Sequence, residues 1–211
     1  MVVRELTSRW DRVTGADWPP EESARLGKDL LRRYAEPHRR YHDQRHLLAV
    51  LRALDELGGD VGVPVTTTLA AWFHDAVYEP ARDDNEEASA RLAEMRLPAL
   101  GAPADDVVEV ARLVRLTAGH VASPGDPGEV LLDADLAVLG GSRGEYDAYA
   151  AAVRKEYRHV PDAAFRAGRL AVLLSLRDRP FLYATATGRR RWESAARSNL
   201  DREITALSRP A

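Results

Sequence analysis

Helical periodicity of the apolar residues is the feature that most limits what this chain can fold into. Between Tyr41 and Leu57 the apolar side chains recur every three or four residues, which places them on one face of an α-helix. Similar stretches lie at about 4–13, 22–35, 66–77, 84–97, 104–118, 143–158, 161–177 and 189–207. The nearest approach to a strand, residues 61–65, is short and contains Pro64, which disfavours a sheet. The pattern predicts an all-α bundle of about eight or nine helices.

Composition sets the broad class. The 211 residues are 45% hydrophobic, enough for one ordinary domain with a buried core. A formal net charge of -3 argues against electrostatically driven binding to nucleic acid or to an anionic membrane. The N-terminal segment lacks the apolar region of a secretion signal, and no apolar run reaches membrane-spanning length, so we expect a soluble, cytoplasmic protein. The absence of cysteine excludes disulfides, thiolate zinc sites and thiol nucleophiles.

Three histidines, His38, His42 and His46, stand four residues apart, a spacing that places side chains on one face of a helix. His46 has aliphatic residues one and two turns further on, Val50 and Leu54, so it is predicted to point towards the core. A buried imidazole needs a hydrogen-bond partner or a metal ion. For a single histidine a backbone carbonyl is the ordinary partner, and His42 remains an alternative to His46 as a ligand.

Carboxylates in apolar surroundings accompany these histidines. His74 and Asp75 close an apolar segment, and Asp133 and Asp135 lie among leucines and alanines in residues 131–139. A charged carboxylate in such surroundings is costly unless it is paired or bound to a metal ion. Asp133 and Asp135 point to different faces of a helix, so only one of them is expected at a shared site. Two imidazoles and two carboxylates form a mixed site that suits Mn, Fe, Co, Ni or Zn better than Ca.

The order His46, His74-Asp75, Asp135 resembles that of the HD superfamily of metal-dependent phosphohydrolases. The local context is similar as well: the first histidine opens an amphipathic helix, the doublet closes an apolar one, and the last aspartate lies in an Ala-Asp-Leu segment. The resemblance covers roughly residues 40–140. A narrower similarity, to small predicted HD-domain phosphohydrolases, extends it through residues 154–157 and 196–200. It implies a single HD-type domain over 1–211, in which C-terminal helices within 142–207 pack on the motif core.

The resemblance implies one divalent ion, with Mn favoured over Fe, Ni, Zn or Mg, held by His46, His74, Asp75 and Asp135. It also implies hydrolysis of a nucleotide or small phosphomonoester through a metal-activated water. Some family members that act on nucleotides carry a Glu-Asp pair shortly after the doublet, where this chain has Tyr78 and Glu79. That departure leaves one carboxylate there and weakens the case for hydrolysis of the alarmone (p)ppGpp.

Five further residues are candidates for roles at this site: Glu79 and His120 in catalysis, and Lys155, Arg158 and His42 in substrate binding. The plainer interpretation of Glu79 is a solvated helix-terminal glutamate, and that of His120 is a histidine favoured by a helix C-terminus. Arg154 and Arg169 are the next candidates for phosphate ligands after Lys155 and Arg158. In an arginine-rich chain most such residues form a solvated face.

Three other interpretations stay open. The first is a non-catalytic HD module that binds a nucleotide or a protein partner. The second is a metal-dependent oxygenase or lyase on the same fold, for which His42, His120 and Glu79 would supply the extra ligands of a di-iron centre. The third is a helical scaffold whose buried polar groups are structural.

Overall fold

The computed structural model describes residues 1–15, 18–59 and 61–209. Within these ranges the chain forms ten α-helices and no strand. The helices are α1 (Val2–Thr14), α2 (Pro20–Arg33), α3 (Gln44–Gly58), α4 (Val65–Phe73), α5 (Asn85–Arg96), α6 (Ala104–Leu116), α7 (Gly128–Asp135), α8 (Arg143–Glu156), α9 (Asp162–Arg177) and α10 (Ala186–Ser208). The all-α prediction is confirmed. The count is ten because α7, with 8 residues, is too short to show a repeated apolar spacing.

The larger of two hydrophobic cores lies among the first seven helices. The helix α3 buries Leu47, Val50 and Leu51 on the face that the periodicity predicts. The helix α4 is buried on nearly all sides and packs against α3, α5, α6 and α7. A helix this apolar is stable only inside a bundle, which explains its central position.

A smaller core joins the last three helices to a 3₁₀ segment at Leu136–Gly140, directly after α7. Its fully buried residues include Leu139 and Tyr146. Trp192 on α10 is partly buried and packs against both cores. A Cβ at Gly140 would lie 2.8 Å from Trp192 Cα, so the absence of a side chain is what allows α10 to approach the 3₁₀ segment.

The end of α4 differs from the prediction. The apolar pattern predicts a helix over 66–77, whereas α4 ends at Phe73. The side chain of Ser89 binds the backbone groups of Val77 that a longer helix would use for its own hydrogen bonds. The Val77 N–H donates to Ser89 Oγ at 3.0 Å, and Ser89 Oγ donates to the Val77 carbonyl at 3.2 Å. The His-Asp doublet therefore stands in a turn, where neighbouring side chains can point to one spot.

Two local features bear on the remaining expectations. Ser142 and Glu145 form the reciprocal hydrogen bonds of a capping box at the start of α8, as their spacing indicates. Among the described residues, no helix combines the length and the apolar character needed to cross a membrane.

Candidate functional site

Four side chains converge from three separate parts of the chain: His46 in the first turn of α3, His74 and Asp75 after α4, and Asp135 at the end of α7. The Nε2 atoms of the two histidines lie 3.0 Å apart. Asp75 Oδ2 lies 3.4 Å from His46 Nε2 and 3.2 Å from His74 Nε2. Asp135 Oδ1 lies 3.2 Å and 3.5 Å from the same two nitrogens. We call these four residues the ligand cluster.

The ligand cluster has dimensions that fit a metal ion. Ligand atoms about 2.1 Å from an ion stand ~3.0 Å apart at right angles and ~3.4 Å apart at tetrahedral angles. His74 Nδ1 lies 2.8 Å from the Ala71 carbonyl, which can only accept a hydrogen bond. The neutral imidazole therefore carries its proton on Nδ1 and its lone pair on Nε2, facing the cluster. His46, His74 and Asp75 form a group able to hold a metal ion, and Asp135 borders it.

The electrostatics of the cluster favour an added positive charge. Burial disfavours the charged imidazole, yet the carboxylates of Asp75 and Asp135 raise the pKa of His74 well above its ordinary value. Burial equally disfavours an ionised carboxyl, yet the facing His74 lowers the pKa of both aspartates well below the usual range. Two buried carboxylates therefore stay ionised and attract a cation, which a proton or a divalent metal ion can supply.

A third histidine, His120, supports Asp135 from outside the cluster. His120 Nε2 lies 2.8 Å from Asp135 Oδ2. His120 has a φ of 48°, in the left-handed region that residues other than glycine rarely adopt. Arg179 holds this turn, donating to the carbonyls of Gly119 and His120 at 3.1 Å and 2.8 Å. The structure thus brings His120 to the site, in contact with a predicted ligand. Backbone strain of this kind is typical of functional sites.

His42 stands beside the ligand cluster and is not a member of it. Its Nδ1 lies 2.5 Å from Glu156 Oε1, and its ring stacks on that of Tyr78 with centroids 4.2 Å apart. Glu156 is buried, and its Oε2 accepts the backbone N–H groups of residues 40, 41 and 42. Burial opposes its ionisation, yet His42 and these donors lower the pKa of Glu156 to about 2. Of the two candidate histidines, the structure brings His46 into the cluster.

The alternative aspartate has a structural role. Asp133 accepts hydrogen bonds from the N–H of Ala184 at 2.7 Å and from the N–H and hydroxyl of Thr185 at 2.9 Å and 2.7 Å. Thr185 is the N-cap of α10. Asp133 therefore fixes the start of α10, while Asp135, two residues further on, faces the ligand cluster.

A cavity of about 490 Å³ adjoins the cluster. Its lining residues include Asp135, His120, His42, Tyr149 and Arg169. A volume of this size is typical of a small-molecule site. The ligand cluster thus adjoins, through Asp135, a space large enough for a small molecule.

Two arginines line this cavity, and they differ in whether a carboxylate pairs with them. Arg169 is neutralised: it forms a two-pronged ion pair with Glu203 at 2.9 Å and 3.0 Å and donates to the Tyr149 hydroxyl. Arg179 lines the same cavity, and its hydrogen bonds go to backbone carbonyls. Within the described ranges Arg179 makes no ion pair with a carboxylate, and burial lowers its pKa. Its charge is therefore available to an anion in the cavity.

The structure does not bring Glu79, Lys155 or Arg158 to the cluster. Glu79 is exposed, its Oε1 is 3.7 Å from His38 Nε2, and its backbone N–H donates to Asn85. Lys155 and Arg158 are exposed and do not line this cavity. They also do not line the neighbouring cavity, of about 450 Å³, between α8 and α9. Glu156, the neighbour of Lys155, takes the inward position because the buried face of α8 runs through Tyr146, Val153 and Glu156.

Sequence reasoning missed two of the residues that shape this site, Glu156 and Arg179. A signal existed for Glu156, which is three residues after Val153 and seven after Tyr149, the spacing of a single helix face. Arg179 lies between α9 and α10, outside any periodic pattern. Only its hydrogen bonds to the turn at His120, 59 residues earlier, reveal it.

The comparisons with known proteins add no relative: no protein-family model, curated protein or solved structure matches the chain. The HD resemblance therefore continues to depend on the order and context of the four predicted ligands.

Proposed function

We propose that the protein is a divalent-metal-dependent phosphohydrolase that acts on a small phosphomonoester, a nucleotide being one candidate. The observation that carries the proposal is the convergence of two imidazole nitrogens and two carboxylate oxygens at separations of 3.0 Å to 3.5 Å. His46, His74, Asp75 and Asp135 would hold the ion, with Mn favoured among the metals that accept this donor set. The unpaired charge of Arg179 on the adjoining wall supports an anionic substrate.

A bound divalent ion supplies an activated water and polarises a phosphoryl oxygen. The chain orients the ligands for it in advance. Ala71 holds His74 with Nε2 facing the cluster, and His120 holds Asp135. Partners of this kind fix a ligand's tautomer and direction, so the side chains lose less conformational entropy when the ion binds.

The cavity wall would bind the phosphoryl group. Arg179 would donate charge-assisted hydrogen bonds to its oxygens, where charge develops during the reaction. His42 has its Nδ1 bound to Glu156, which leaves Nε2 on a ring that borders the cavity. Arg169 would mainly define the shape of the cavity wall, because Glu203 already neutralises its charge.

The metal centre is tested first, by elemental analysis of tag-free protein purified without chelator and by Mn²⁺ titration of any apo fraction. We expect about one ion per chain, lost in Asp75→Asn. The matched control is Asp83→Asn, which removes an exposed carboxylate eight residues further on and should retain the ion. A wild-type protein that holds no ion and takes up none on titration would contradict the proposal. It would favour a helical scaffold whose buried polar groups are structural.

Turnover is tested by phosphate release from nucleotides and small phosphomonoesters with Mn²⁺-loaded protein. We expect release by the wild type and the Asp83→Asn control, and none by Asp75→Asn. A bound ion without release of phosphate would favour a binding module. Oxygen consumption by iron-loaded protein with an organic substrate would favour an oxygenase.

A further inference from the structure

A second cavity shares part of its lining with the one beside the ligand cluster. It has a volume of about 450 Å³ and lies between α8 and α9. His42, Tyr149, Arg169 and Val172 line both cavities. Because the same four side chains border both spaces, the two cavities are adjacent, and a substrate bound by its phosphate in the first would have the second next to its remaining part. We call the second space the side chamber.

The lining of the side chamber is apolar and aromatic. Val153, Val160 and Val172 contribute aliphatic surface, and the rings of Tyr157 and Phe165 lie with centroids 6.2 Å apart. The guanidinium of Arg154 lies 4.6 Å from the Phe165 ring centroid and is itself paired with Asp162. Val172 is 53% exposed although it borders both cavities. Apolar surface left open beside a polar site is typical of a binding pocket.

The polar groups of the side chamber do not suit a polyol. No carboxylate or carboxamide side chain lines it in the described part of the chain. Of its two basic residues, Arg169 is paired with Glu203 and His42 has its Nδ1 bound to Glu156, which leaves Nε2 of His42 as the one ring nitrogen open to a polar group. Several sugar or glycerol hydroxyls placed there would lose hydrogen bonds to water and find few partners to replace them, which disfavours a polyol.

We infer that the alcohol part of the substrate is apolar and aromatic, and that it occupies the side chamber while the phosphate lies beside the ligand cluster. This inference depends on the proposed phosphohydrolase function and narrows it to phosphomonoesters of apolar alcohols. The chamber would act as the specificity pocket of the enzyme. Transfer of an apolar group from water into it favours such substrates over polyol phosphates of similar size.

A glycine in the chamber wall provides a direct test. Gly168 on α9 lines the chamber, and a Cβ there would meet no atom within 4 Å. Gly168→Leu should therefore narrow the chamber without displacing the helix. The matched control is Gly144→Leu on α8, another helical glycine with open space at its Cβ, which borders neither cavity.

The measurement compares kcat/KM for 2-phenylethyl phosphate and glycerol 3-phosphate with Mn²⁺-loaded protein. Both are primary alkyl phosphates with similar leaving groups, so their ratio reports how the alcohol is bound. The wild type should prefer the phenylethyl ester by roughly tenfold or more. Gly168→Leu should lower kcat/KM for that ester by roughly 10- to 100-fold and leave glycerol 3-phosphate unchanged. Gly144→Leu should change neither.

Calorimetric titration with 2-phenylethylphosphonate and methylphosphonate gives a readout that does not need turnover. Gly168→Leu should weaken the binding of 2-phenylethylphosphonate and leave the binding of methylphosphonate unchanged. Equal hydrolysis of both esters, unaffected by Gly168→Leu, would overturn the inference and leave the phosphohydrolase proposal standing. Binding of the phenylethyl compound that Gly168→Leu abolishes, without hydrolysis of any ester, would support the chamber and remove the proposed function. Neither binding nor hydrolysis would overturn both.

Discussion

The two hydrophobic cores contribute different parts of the candidate site. The larger core supplies the ligand cluster: His46, His74, Asp75 and Asp135 all come from α3, α4 and α7 or the turns that follow them. The smaller core supplies the cavity wall, through side chains of α8 and α9 and of the segment before α10. The first region is built around atoms 3.0 Å to 3.5 Å apart, and the second around two spaces of several hundred Å³.

This difference has a physical basis. A metal ion tolerates little error in the position of its ligands, so those residues belong in a rigid, fully packed core. A substrate pocket needs shape and unpaired polar groups, which a smaller core with open apolar surface can provide. We therefore expect substitutions in the first region to remove the ion, and substitutions in the second to alter substrate binding while the ion stays.

The largest effect should come from the ligand cluster. Asp135→Ala removes one carboxylate and the partner of His120, so bound Mn²⁺ should fall from about one ion per chain to none. Phosphate release should fall roughly 10³-fold or more, since the metal supplies both the activated water and the polarisation. Elemental analysis and a phosphate assay check both. Retention of the ion in Asp135→Ala would show that Asp135 is not a ligand.

A smaller effect should come from the wall. Arg179→Met removes charge-assisted hydrogen bonds to the phosphate, and KM for a phosphomonoester should rise roughly 10- to 100-fold with the metal content unchanged. Arg177→Met is the control, because that side chain pairs with the exposed Asp178 and borders neither cavity. Steady-state kinetics decide between Arg179 and Lys155, the phosphate ligand that the sequence predicts. A higher KM in Lys155→Ala together with an unchanged KM in Arg179→Met would favour Lys155.

The contact between the 3₁₀ segment and α10, inside the second region, should affect the stability of the fold. Gly140→Ala places a methyl group against the backbone of Trp192 and should lower the free energy of unfolding by about 1–3 kcal/mol. Gly144→Ala meets open space in a helix and should be neutral or stabilising by up to about 1 kcal/mol. Urea denaturation of the two variants measures the difference. Equal stability would mean that α10 shifts without cost.

The smallest effect should be a pH dependence. The pKa of Glu156 is about 2 in the folded protein, against 4.5 as its ordinary value. A depressed pKa contributes stability that is present above 4.5 and is lost as the pH falls through 4.5 towards 2. Glu156→Gln should therefore lower the melting temperature by several degrees at pH 7 and by less near pH 3. A loss of the same size at both pH values would contradict the ionised state of Glu156.

Sequence reasoning went furthest where the information is local. The three- and four-residue apolar spacing of α3 predicts its buried face, and the placement of His46 one turn before Val50 predicts its inward direction. The order of His46, His74, Asp75 and Asp135 was enough to propose them as one site, and the structure brings them together. It was not enough to assign Glu79, Lys155 or Arg158, whose positions depend on how helices rotate and where they end.

The amino-acid sequence by itself determined the all-α class, because helix periodicity acts over a few turns. It also narrowed the candidate ligands, through a resemblance in order and context, to His74, Asp75, one of His42 and His46, and one of Asp133 and Asp135. The tertiary structure alone decided the early end of α4, the separate roles of Asp133 and Asp135, and the cavity wall. Those features depend on contacts between distant residues, such as the bond from the Arg40 backbone to Glu156 across 116 positions. No local pattern encodes such a contact, since it forms only when the packing of both cores brings the two segments together.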